Sequence, residues 1–150
     1  MIVNLEGLIY SILVLNLLYI VISDCLNRII SNKAIVLLAA IACFLIKQHF
    51  DLISFSVALT VLVLGVIMFS AGLCGAGDIK LLFVLIPIID HQWLLLCFML
   101  MFALGGILGI GLWLGDKIWP QCKLKTKGVP YAVPICISFG FGLFLTAITH

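Results

Sequence analysis

Charged side chains are scarce in this sequence. They make up 9% of its 150 residues, while hydrophobic residues make up 65%. Soluble domains carry roughly a quarter charged residues, so this composition argues against a water-soluble fold. The net charge of +2 is too small to indicate a nucleic-acid partner. No internal repeat or linker divides the chain, so we expect a single domain over residues 1–150.

The side chains that commonly bind metals lack the spacing of a metal site. The six cysteines include no CxxC pair, and most lie in or beside apolar runs, where cysteine behaves as a small hydrophobic residue. The three histidines are far apart, without the i, i+4 spacing that places two ligands on one helix face. We therefore predict neither a metal ion nor a cofactor.

Long uncharged runs dominate the sequence, and they cover residues 7–23, 52–73, 92–115 and 128–149. Each reaches or approaches the roughly 20 residues that a helix needs to cross a bilayer. Two shorter helices, at about 31–47 and 78–89, complete a predicted all-α bundle of six transmembrane helices with a short fourth helix. The predicted N-caps of the second, third and fourth helices are Asn32, Asp51 and Asp78. Glycines in the fifth helix indicate close helix packing: Gly105, Gly106, Gly109 and Gly111.

The basic residues predict the orientation of the bundle, because lysine and arginine collect in cytoplasmic loops. With the N-terminus outside, only Lys47 of the eight basic residues falls on the outer side. The others fall inside: Arg28, Lys33, Lys80, Lys117, Lys123, Lys125 and Lys127. We therefore predict that both termini and all three histidines lie outside, and that Asp24 and Asp78 lie at the cytoplasmic face.

These two aspartates stand at predicted helix ends: Asp24 closes the first helix and Asp78 opens the fourth. A carboxylate at membrane depth costs roughly 2.5 to 3.5 kcal/mol on insertion scales, so it usually faces a cavity and serves a function. Two carboxyl groups within hydrogen-bond reach share one proton. One can then take a proton from water while the other donates to a scissile carbonyl oxygen, as in aspartic peptidases.

Gly75 and Gly77 flank this second aspartate on its N-terminal side. Lacking side chains, they let an extended substrate approach Asp78 and permit positive φ before the helix begins. The same pattern is also typical of a flexible loop entering a helix. An alternative function is a small transporter or channel component that uses Asp24 and Asp78 as proton or cation sites.

Three separated segments carry a family resemblance. They are Asp24-x-x-x-Arg28-x-Ile30-x-Asn32, Gly75-Ala76-Gly77-Asp78-Ile79-Lys80-Leu81 and Val129-Pro130-Tyr131-Ala132-Val133-Pro134. In this order they resemble the type IV prepilin peptidase family, membrane aspartic peptidases of the GxGD kind, especially the short form found in tight-adherence pilus systems. The six-helix layout fits along nearly the whole chain. Ser31 stands where the family usually has proline, which softens the turn before Asn32.

The resemblance implies that Asp24 and Asp78 are catalytic and that the substrates are prepilin-like proteins. The short basic leader of such a substrate would be cleaved at the cytoplasmic membrane surface, just before the hydrophobic segment. It also implies a multi-pass protein of the bacterial inner membrane, in contact with the lipid bilayer, and leaves the oligomeric state open. Longer members carry an N-terminal segment with paired cysteines and N-methylate the new terminus. This sequence has no such segment, so we expect peptidase activity and leave methylation open. An inactive scaffold of a pilus assembly platform is a further alternative.

The resemblance also assigns supporting roles. Arg28, one helical turn past Asp24, would pair with that carboxylate or with substrate, and Lys80 would hold Asp78 ionised. For Arg28 the alternative is a basic anchor at a helix end. For Lys80 it is a side chain that reaches the membrane surface, but the family pattern includes this lysine and favours the supporting role. The remaining supporting residues are Asn32, Gly75, Gly77, Pro130, Tyr131 and Pro134.

Overall fold

A computed structural model describes residues 2–27, 30–46, 51–72, 74–118 and 130–149. Several residues used in these predictions, including two of the three histidines, lie outside this part of the chain: Arg28, Lys47, His49, Lys123, Lys125, Lys127, Val129 and His150. The helices are α1 (Ile2–Asn27), α2 (Asn32–Ile46), α3 (Leu52–Ser70), α4 (Ala76–Leu85), α5 (His91–Ile118) and α6 (Ala132–Thr149), and a 3-10 turn (Ile86–Ile88) follows α4. No strand occurs in these described ranges, and the prediction of an all-α protein is confirmed.

Four helices are long and apolar enough to cross a membrane. Their candidate spans are Gly7–Asn27, Leu52–Ser70, His91–Gly115 and Ala132–Thr149. The α2 helix has 15 residues and α4 has 10. At 1.5 Å per residue α4 is about 15 Å long, about half the thickness of the hydrocarbon core, so the fourth helix is short, as predicted. The chain is a multi-pass membrane protein, while its orientation and the count of six crossings stay predictions.

The short helix is surrounded by protein. Together with the 3-10 turn that follows it, α4 packs against α2, α3 and α6, and Leu81, Leu85 and Ile86 are completely buried. A helix too short to cross the bilayer alone leaves backbone ends that lipid cannot hydrogen-bond. Enclosure by the other helices removes that problem, and it also fixes the position of the residues that α4 carries.

Two of the predicted N-caps are wrong. The α4 helix begins at Ala76 with Gly75 as its N-cap, so Asp78 is the third helical residue instead of the cap. The α2 helix begins at Asn32 itself, where the Ser31 carbonyl oxygen accepts from the N–H groups of residues 34 and 35 at 3.0 and 3.2 Å. The N-cap positions are thus occupied by Gly75 and Ser31, and the side chains of Asp78 and Asn32 make other contacts.

The third predicted cap is confirmed and belongs to a polar cluster at the end of the bundle opposite Asp78. Asp51 caps α3 by accepting from the Ile53 N–H at 3.1 Å. The Ser54 hydroxyl lies 2.8 Å from the Asp51 carboxylate and 2.7 Å from the Ile89 carbonyl oxygen. The backbone N–H and Nδ1 of His91 lie 3.2 and 3.1 Å from the same carboxylate. Burial alone would raise the pKa of Asp51, but these hydrogen bonds outweigh it and lower the pKa below 3.8.

Glycines allow several helices to approach one another closely. A Cβ at Gly65 of α3 would lie 2.7 Å from Cγ2 of Ile79 in α4. In α5, a Cβ at Gly105 would lie 3.4 Å from the Tyr131 ring, which agrees with the predicted close packing. The other three glycines of that prediction, at positions 106, 109 and 111, would meet nothing within 4 Å among the described residues.

Candidate active site

Asp24 lies in the last turn of α1, and α1 continues past it to Asn27. The side chain is 7% exposed. Its Oδ2 accepts a hydrogen bond of 3.2 Å from the backbone N–H of Ala132, the first residue of α6. The first N–H groups of a helix have no partner inside the helix and carry a partial positive charge. The start of α6 is therefore a favourable environment for this carboxylate.

Asp78 lies in the first turn of α4 and is half-buried. Its carboxylate accepts a hydrogen bond from the backbone N–H of Gly75. This is the reciprocal contact that an acidic third residue makes in a capping box. The carboxylates of Asp24 and Asp78 therefore lie at the N-termini of α6 and α4, respectively, whose partial positive charge offsets part of the repulsion between them.

Glycine at position 75 leaves space for the Asp78 carboxylate, and its backbone is not left-handed. A Cβ at Gly75 would lie 2.9 Å from Asp78 Oδ2. Its φ of −78° and ψ of 138° are extended values that any residue adopts, so the expectation of positive φ at this position is wrong. Among the described glycines the positive φ, 73°, belongs to Gly72, just after α3 ends.

The two carboxyl groups come together although they are far apart in the sequence. The charge of Asp24 acts on Asp78, and the thiol of Cys136 in α6 interacts electrostatically with both. Three helices therefore supply one polar site: α1 through Asp24, α4 through Asp78 and α6 through the Ala132 N–H and Cys136. Among the residues that the structure describes, no group of three or more acidic, histidine or cysteine side chains could hold a metal ion.

The first two sequence segments also contact each other directly. A Cβ at Gly77 would lie 3.1 Å from Cδ1 of Ile30, so the absence of a side chain at Gly77 lets the two segments pack. Lys80 Nζ donates to Asn32 Oδ1 at 3.4 Å. This contact joins two residues that were predicted to support the site, but it directs Lys80 to the amide of Asn32. The predicted pairing of Arg28 with Asp24 lies outside the described residues.

The third segment holds the start of α6 in place. Pro134 is buried in the first turn of α6, where proline removes no helical hydrogen bond. The Tyr131 ring packs beside Gly105 of α5, and Pro130 precedes it in the chain. These residues support the Ala132 N–H that bonds Asp24. No sequence pattern indicated that backbone donor or Cys136, because neither an alanine N–H nor a small apolar residue carries a recognisable signal.

The chain matches the model of the type IV leader peptidase family over residues 11–110. The chain belongs to this family. The matched range contains both Asp24 and Asp78, and it ends before the segment at 130–134. Membership implies a peptidase, hence a hydrolase, and does not favour a transporter. No curated protein and no solved structure matches the chain significantly.

Proposed function

We propose that this leader peptidase is a membrane-embedded aspartic endopeptidase with Asp24 and Asp78 as its catalytic pair. Its substrates are type IV prepilin-like proteins, whose leader it removes at the cytoplasmic face of a bacterial inner membrane. The observation that supports the catalytic assignment most strongly is the electrostatic interaction between the two carboxyl groups. Two acidic side chains from distant segments rarely come together in a membrane protein without a function.

The chemistry requires one proton shared between the two carboxyl groups. The ionised carboxylate takes a proton from a water molecule, and the water oxygen bonds to the carbonyl carbon of the scissile peptide. The protonated carboxyl donates its proton to the carbonyl oxygen, which gives a neutral tetrahedral intermediate. That intermediate collapses when the amide nitrogen receives a proton from the pair and leaves as the new N-terminus, while the leader keeps the new carboxyl group.

The charge of the helix ends around the site supports the cytoplasmic location. Lys33 lies in the first turn of α2, Lys80 in the first half of α4 and Lys117 in the last turn of α5, and in the proposed topology all three lie on the same side as Asp24. Positive charge on that side is typical of the cytoplasmic face. The leader is then cut at the membrane surface, just before the substrate's hydrophobic segment.

The test is processing of a prepilin-like substrate in cells that express the chain or its variants. Asp24→Asn and Asp78→Asn preserve side-chain shape and remove the carboxyl chemistry, so the substrate should keep its leader. Asp90→Asn is the matched control, because Asp90 precedes α5 at the far end of α4, and it should give mature substrate. Normal processing by either Asp24→Asn or Asp78→Asn would exclude the proposal and favour a transport or scaffold role.

A further inference from the structure

We propose that Cys136 is a positioning residue of the catalytic pair. Its compact, uncharged side chain forms the wall of the site beside both carboxyl groups and sets the separation between Asp24 and Asp78. This inference rests on the proposed peptidase function and adds to it a residue from the last helix, which the chemistry of the two aspartates does not itself require.

The register of α6 against α1 places Cys136 at the site. The Ala132 N–H bonds Asp24, and a Cβ at Gly140 would lie 3.8 Å from the Leu17 side chain. Helical residues four apart share a face, so the positions of Ala132, Cys136 and Gly140 form one row along α1. Cys136 is the middle member of this row, about 6 Å along the axis from the N–H that holds Asp24.

The Cys136 side chain is buried in the helix that joins the two halves of the site. It is 5% exposed, and α6 packs against both α1 and α4. The thiol interacts electrostatically with both aspartates, so it faces the junction of the three helices that form the site. Protein interiors are close-packed, and added methylene groups in such a place displace their neighbours.

A larger side chain at position 136 would not move the two carboxyl groups by the same amount. Asp24 is hydrogen-bonded to α6, the helix that carries Cys136. Asp78 is held within α4, where it bonds the Gly75 N–H. A bulkier residue at 136 therefore forces apart the helices that meet there. Asp24 then shifts with α1 and α6 while Asp78 stays with α4, so the carboxyl groups separate. A misplacement of about 1 Å in a catalytic site can reduce the rate roughly a hundredfold.

The primary experiment is a size series, Cys136→Ala, Cys136→Val and Cys136→Leu, assayed with purified full-length protein and a prepilin-like substrate. We expect kcat to fall with side-chain size, by about a hundredfold for leucine, while KM changes less than about threefold. The pH profile should also lose its bell shape, because separated carboxyl groups no longer share a proton. A merely structural role would lower the amount of folded protein without altering the pH profile. Cys43→Leu, at an exposed site of α2, is the control and should behave as wild type.

A second experiment avoids any folding defect of the leucine variant. Cys136→Ser keeps the size of the side chain, so we expect its kcat to stay within about threefold of wild type with an unchanged pH profile. A Cys136→Ser protein that loses kcat as the leucine variant does, or a folded Cys136→Leu protein with wild-type kcat and pH profile, would overturn the inference. An inactive wild-type protein would instead contradict the proposed function.

Discussion

Gly75→Ala is expected to reduce cleavage without destabilising the protein. The new Cβ would lie 2.9 Å from Asp78 Oδ2, whereas ordinary van der Waals contact begins at 3.4 Å. The Asp78 carboxylate must therefore move by about 0.5 Å or more, or turn away and lose the Gly75 N–H. Because a misplacement of about 1 Å can reduce catalysis roughly a hundredfold, we expect kcat to fall about ten- to a hundredfold.

Stability should change little. Alanine adopts the backbone angles of Gly75 without strain, because φ is −78° and ψ is 138°. Replacing glycine restricts the unfolded chain, which stabilises a protein by about 0.4–1 kcal/mol, but alanine is a poorer N-cap than glycine, and this offsets the gain. The thermal unfolding midpoint of Gly75→Ala in detergent should therefore stay close to that of the wild-type protein.

Gly72→Ala is the matched control, because its effects should be the reverse. Gly72 has a φ of +73° and open space around it, so alanine there introduces backbone strain of about 1 kcal/mol without touching Asp78. We expect a lower unfolding midpoint and wild-type kcat per folded molecule. Prepilin cleavage and thermal unfolding are measured on the same preparations. Wild-type kcat in Gly75→Ala, or a loss of kcat that parallels a loss of stability, would show that Gly75 does not set the position of Asp78.

Three further predictions concern the rest of the bundle. Because the pKa of Asp51 is lowered in the folded protein, its carboxylate stabilises the fold above its unfolded pKa of about 3.9. This contribution is lost as the pH falls through the folded value. The unfolding midpoint should therefore fall less steeply between pH 5 and 3 in Asp51→Asn than in the wild-type protein. Gly142→Ala should destabilise by roughly 1–3 kcal/mol, because its Cβ would meet Cys97 of α5, and adding Cys97→Ala should restore part of the loss. A membrane-impermeant maleimide should label the exposed Cys25 and Cys74 from the cytoplasmic side, whereas labelling from outside would reverse the predicted orientation.

The sequence predicted the helices better than their ends. Uncharged runs identify the four long helices because lipid tolerates few charges over a span. The first helix was predicted to end at Asp24, but α1 continues to Asn27, and the Asp24 carboxylate bonds the Ala132 N–H. The fourth helix was predicted to begin at Asp78, but this residue lies inside α4 and reaches back to Gly75. Such ends depend on contacts that a local pattern does not encode.

In the candidate site, too, the polar residues were identifiable from the sequence but their contacts were not. Asp24 and Asp78 stand out in the sequence because carboxylates are rare in apolar segments. Their meeting depends on how α1, α4 and α6 pack, which no local spacing determines. The Lys80 contact with Asn32 and the place of Cys136 are likewise products of packing between distant segments. Sequence patterns therefore identify the polar residues, and the fold decides which of them become neighbours.

A double-mutant cycle on the two aspartates tests whether they act as one catalytic pair. The kcat/KM for a prepilin-like substrate is measured for the wild-type protein, Asp24→Asn, Asp78→Asn and the double variant. Residues that act as one unit are strongly non-additive, so each single substitution should reduce kcat/KM by about a thousandfold or more, and the double variant should be no more than about tenfold worse. Losses that multiply in the double variant, or a single variant with wild-type kcat/KM, would contradict a shared catalytic pair.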